Sequence, residues 1–153
     1  MSSLAVIRPH DWDFPLIVHI FGAMLLVGAL TLSAVSLIAS WRSGSGALTR
    51  LGFMSVFYGA IPGWLIMRGG AQWIAHKEGL EDADLSWINI GFTMSDLGFV
   101  LLIVLLVIGG LVVRRINRDE SGPWISARIA AALVSLLLIG YLVAVWAMTT
   151  KPV

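Results

Sequence analysis

Cysteine is absent from all 153 residues, which excludes disulfides, thiolate metal sites and cysteine nucleophiles. Charge is scarce: 10 Lys and Arg face 9 Asp and Glu, for a net charge of +1. A chain so weakly charged carries no basic footprint for nucleic acid. Only three histidines occur, which limits any haem or metal site to very few ligands. No phosphate loop, nucleophile elbow or zinc-protease motif is present, so nothing marks the chain as an enzyme. Polar residues are also too few to cover a soluble domain of this size.

Apolar residues make up 58% of the chain, and the mean hydropathy is +0.90. They gather in four segments, about 14–39, 48–75, 86–113 and 124–148, each long enough to cross a bilayer, which takes about 20 residues. The expected fold is all-α, a membrane-spanning four-helix bundle forming a single integral membrane domain over 1–153. The lead before the first segment holds Asp11 and Asp13, and the run behind it is about 25 residues, too long for a secretory leader. It reads as a retained span.

Asp13 suits an N-cap, with Phe14 and Pro15 opening the first helix. Gly44 and Gly46 among serines predict a flexible first loop over 40–50. Pro62 predicts a kink in the second span, since it donates no backbone hydrogen bond. Gly59-x-x-x-Gly63 predicts close helix packing, within the chain or against another membrane protein or a second copy. Pro123 and Trp124 open the fourth span.

Arg42, Arg50, Arg114, Arg115, Arg118 and Arg128 fall at one end of the spans. Arg8, Lys77 and Lys151 fall at the other, among Asp11, Asp13, Glu78, Glu81, Asp82 and Asp84. Short basic loops stay inside, so the expectation is N-out/C-out in a plasma (inner) membrane. Trp12, Trp73, Trp87 and Trp146 mark the outer boundary, Trp41 and Trp124 the inner one, and only Trp64 lies deep.

Asp96 stands well inside the third apolar segment. A carboxylate near a helix centre costs roughly 2.5–3.5 kcal/mol on insertion scales, so it takes a partner or a wet cavity. Arg68 in the second segment is the obvious partner. At 1.5 Å per residue, His19 lies roughly 9 Å below Asp13, Arg68 roughly 7 Å below Trp73 and Asp96 roughly 13 Å below Trp87. Arg68, Gln72 and His76 recur at one-turn spacing, as do Asn89, Thr93 and Asp96. Two polar stripes at one depth predict a polar interior in the outer half of the bilayer, built from His19, Arg68, Gln72, Thr93 and Asp96. It would bind or relay a small ion, proton or ligand. The plainer alternative is an Arg68–Asp96 pair that only fixes helix register.

Other chemistries stay open. Haem would need two facing imidazoles, for which His19 and His76 are the pair. Copper would take His19 with Met24, Met67 or Met94. The acidic loop with His76, Glu78, Glu81, Asp82 and Asp84 lacks the ordered oxygen spacing of a calcium loop and reads as a solvated turn.

The opening of the first span, Leu16-Ile-Val-His19-Ile-Phe-Gly22-Ala-Met-Leu-Leu-Val-Gly28, resembles a pattern of small bacterial four-helix membrane proteins of unknown function. It is distantly similar to the copper-resistance D-type domain. The resemblance covers about a dozen residues and implies a compact helical bundle binding haem or metal through His19. Protoporphyrinogen-oxidase-type membrane proteins open similarly. This chain lacks the following tryptophans and the second lysine ligand of that family, so that activity is not carried over.

Overall fold

The computed structural model describes residues 13–78, 86–118 and 125–150. All the regular structure among them is helical: α1 (Asp13–Ser43), α2 (Gly46–Ser55), a π turn (Val56–Ala60), α3 (Ile61–Glu78), α4 (Ser86–Ile116) and α5 (Ile125–Thr150). α2, the π turn and α3 form one continuous rod. Four rods are therefore long and apolar enough to cross a membrane, as expected for a multi-pass membrane protein. Pro123, Trp124, Trp12 and the loop residues 79–84 lie outside the described residues, as does the side chain of Trp87.

Sequence neighbours are neighbours in space, and α5 returns to pack on α1, closing the ring. The loops joining α1 to α2 and α4 to α5 share one end, here the loop end. Asp13 and Thr150 share the other, the terminal end. One apolar core runs through all four rods, with Leu26, Leu30, Leu102, Leu105, Val134 and Leu137 at its centre.

The most extensive contact is between α1 and the α2–α3 rod, and small residues make it possible. A Cβ placed on Gly63 would lie 2.6 Å from the Leu26 nitrogen, and one on Gly70 would lie 2.6 Å from the His19 nitrogen. Gly22 meets the Met67 backbone in the same way, and Gly59 meets Ala29. The Ser55 hydroxyl donates to the Ala29 carbonyl at 2.7 Å, tying the two backbones directly. Lipid gives apolar helices no reason to associate, so this closeness, with its dispersion contacts, is what holds them.

The first loop is far shorter than 40–50. α1 runs on to Ser43 and α2 starts at Gly46, leaving Gly44 and Ser45 as the whole connection. Gly44 takes φ +68°, and its N–H closes the helix on the Ser40 carbonyl at 2.8 Å, a left-handed helix stop that favours glycine. Ser45 caps α2 through the Leu48 N–H. The glycine expected to loosen the loop thus tightens it. Buried Ser40 and Thr49 hydroxyls pair across the turn.

Ahead of Pro62 the helix widens into the π turn. The Ile61 N–H reaches back five residues to the Val56 carbonyl. A proline at 62 cannot satisfy the Tyr58 carbonyl and its ring crowds it, and widening the preceding turn relieves that crowding.

Candidate functional site

α3 and α4 touch much less than α1 and α3 do, because long side chains, not glycines, meet between them. The contact starts at Trp64, whose ring stacks on Phe99 with centroids 4.3 Å apart. Its indole N–H donates to the Ser95 carbonyl at 2.9 Å. One turn nearer the terminal end, Arg68 Nη2 meets Asp96 Oδ1 at 3.2 Å, and the guanidinium lies over the Phe92 ring at 4.5 Å. Beyond Phe92 the helices part. An open crevice of about 550 Å³ follows, lined by Gln72, Trp73, Ala75, His76 and Phe92.

The ion pair is asymmetric. The Arg68 side chain is only 20% exposed, whereas Asp96 is 64% exposed. Gln72 and Thr93 are exposed as well. The expected polar interior is therefore corrected: these residues line the flank of the bundle between α3 and α4. The one-turn spacing showed correctly that Asn89, Thr93 and Asp96 share a face, but spacing alone does not say which face. The buried face of α4 is the neighbouring stripe Gly91, Ser95, Gly98, Leu102, Leu105, Gly109 and Val112.

His19 takes a different part. It sits on α1 at the Gly70 crossing, and its Nδ1–H donates to the Met67 carbonyl at 2.9 Å. That bond bridges α1 and α3 and leaves Nε2 as the ring's acceptor. α1 and α3 are in backbone contact there, so no gap for a porphyrin lies between them at His19. His76 stands six residues further along α3, in the crevice wall. Met24 is 70% exposed, Met67 meets His19 through its carbonyl, and Met94 packs on Gly140 of α5. No three His, Cys, Asp or Glu gather among the described residues.

Gly59 and Gly63 are filled by α1 of the same chain, so that face holds no room for another protein's helix.

Sequence reasoning overlooked the inner side of the ion pair. Arg68 Nη1, Ser95 Oγ and Tyr141 Oη are buried without a hydrogen-bond partner. All three belong to one level: Ser95 precedes Asp96, and Tyr141 Oη presses on Gly98, three residues along the same α4 face. The signal for them was the small-residue stripe Gly91, Ser95 and Gly98, which marks the inner face of α4. A buried donor left unpaired costs about 1–3 kcal/mol, and more when charged, so this level of the bundle is costly as it stands.

The fold and site thus define a helical, multi-pass membrane protein with a crevice and a neighbouring ion pair on one flank. No protein-family model, no curated protein and no solved structure matches the chain.

Proposed function

We propose that this is a non-enzymatic integral protein of the plasma (inner) membrane, oriented N-out/C-out, with a polar ligand site in the outer half of the bilayer. The site centres on Arg68 and Asp96, with Gln72 and Thr93 on the open side and Ser95 and Tyr141 on the inner side. His19 braces α3 from behind through Met67. The observation that carries this reading is Arg68 itself. One guanidinium nitrogen holds Asp96 while the other is buried and unpaired. A pair serving only helix register would gain nothing from a spare, desolvated donor, whereas a binding site needs one.

Arg68 fixes and neutralises the carboxylate, and its free nitrogen with the two hydroxyls offers hydrogen bonds to an oxygen-bearing ligand. The exposed Arg42, Arg50, Arg114, Arg115, Arg118 and Arg128 at the loop end support this orientation, since short basic loops stay inside.

The test is thermal melting of the full chain in detergent, with native mass spectrometry of protein extracted from membranes. A bound small molecule or ion that stabilises the wild type, and is lost in Arg68→Gln, is the expected result. A wild type carrying nothing, with Arg68→Gln melting at the same temperature, would reduce the pair to a structural contact.

A further inference from the structure

The crevice opens sideways. Asp96 is 64% exposed at a depth where the bundle is ringed by side chains that face hydrocarbon. Leu97 (53%), Val100 (58%) and Leu65 (56%) lie on the flank around it. The crevice lies between two helices held apart by Arg68, Phe92 and Trp64, one turn above the ion pair, and is an open groove of about 550 Å³, room enough for a ring system with one side uncovered. A bare ion has no use for such a space or for aromatic walls.

Its chemistry is specific in three respects. Trp73 and Phe92 supply flat apolar surface, and the Gln72 amide supplies a donor and an acceptor. One turn below this lining, next to Phe92, Arg68 pairs with the exposed Asp96, a carboxylate that accepts hydrogen bonds without a net charge to balance.

Resting on the reading above, we propose that the ligand is a bilayer-dissolved amphiphile with a flat, uncharged, hydroxyl- or carbonyl-bearing head of the quinone/quinol type. It enters laterally between α3 and α4. The head lies between Trp73 and Phe92; the oxidised form accepts from the Gln72 amide N–H through a carbonyl, and the reduced form donates a hydroxyl hydrogen to Asp96. The tail runs along the exposed face of α4 past Leu97 and Val100.

The experiment uses the full chain in detergent and a short-tailed ubiquinone, oxidised and reduced, as probe. Phosphatidylglycerol and inorganic phosphate serve as comparison ligands. Binding is read by melting temperature and by bound mass. The expected result is saturable binding of the quinone or quinol, weakened at least tenfold by Asp96→Asn and by Gln72→Ala. Leu136→Ala, on the exposed face of α5, leaves it unchanged. Gln72 is exposed, so its replacement tests the site even if Asp96→Asn fails to fold. Binding of phosphate alone, lost in Arg68→Gln, would overturn the lateral amphiphile and keep the polar site. Binding of phosphatidylglycerol alone would overturn it in favour of a charged lipid. No binding of any probe, with no ligand retained from membranes, would overturn both readings.

Discussion

Arg68 faces two ways, and its neighbours can be tested separately. Asp96→Ala removes the carboxylate that pairs with the guanidinium, and is expected to lower stability in detergent by about 1–3 kcal/mol, the cost of a polar group left unsatisfied. Adding Arg68→Leu removes the stranded charge, so the double variant is expected to recover part of that loss. A double variant as unstable as the sum of the singles would show that the two side chains act independently. The pairing was legible because a lone acid and a lone arginine inside apolar segments have few other partners. The exposure of Asp96 was not, because it depends on how far α3 and α4 stand apart. That distance is set by Trp64, Phe92 and Phe99, which read in sequence as ordinary apolar residues.

Between elements, the glycines divide into two classes that one measurement separates. Gly22 faces the Met67 backbone and Gly63 faces the Leu26 backbone, neither of which can move as a side-chain tip can. Gly22→Ala and Gly63→Ala are expected to force α1 from α3 and cost at least about 1–3 kcal/mol, as overpacking does. A Cβ on Gly28, Gly69 or Gly110 meets nothing within 4 Å. Alanine there is expected to be neutral or to stabilise by up to about 1 kcal/mol through helix propensity. Unfolding titrations in mixed micelles would rank the five variants, and equal effects across both sets would refute the close-packed seam. The four spans were legible to within a few residues because length and hydropathy decide them. The two-residue turn at Gly44 was not, since serine and glycine suit a tight helix stop and a loose loop equally. Pro62 marked where the helix departs from regular α geometry, but not that the departure is a π turn.

At the scale of the molecule, two polar levels flank a dry middle. The Arg68, Ser95 and Tyr141 level lies towards the terminal end. Buried Ser33, Ser36, Ser40 and Thr49 lie towards the loop end. Between them Leu26, Leu30, Leu102, Leu105, Val134 and Leu137 are at most 1% exposed. Water and ions have no continuous path through one such bundle, so liposomes holding the purified chain are expected to keep a potassium or proton gradient as long as empty ones. Rapid leakage would contradict the packed centre. The lack of cysteine also makes orientation easy to measure. A membrane-impermeant thiol reagent applied to intact cells is expected to label Thr150→Cys and spare Arg118→Cys. The reverse pattern would invert the bundle. The four-span layout was legible from the apolar segments, whereas the closing contact of α5 on α1 leaves no signature in sequence.

The His19 clamp limits which helices can separate. Its Nδ1–H is held by the Met67 carbonyl, a backbone acceptor, so no side-chain rotation on α3 releases it. α4, by contrast, is held to α3 at the ion pair by side chains alone. Any widening of the crevice therefore falls to α4, while α1 and α3 move as one.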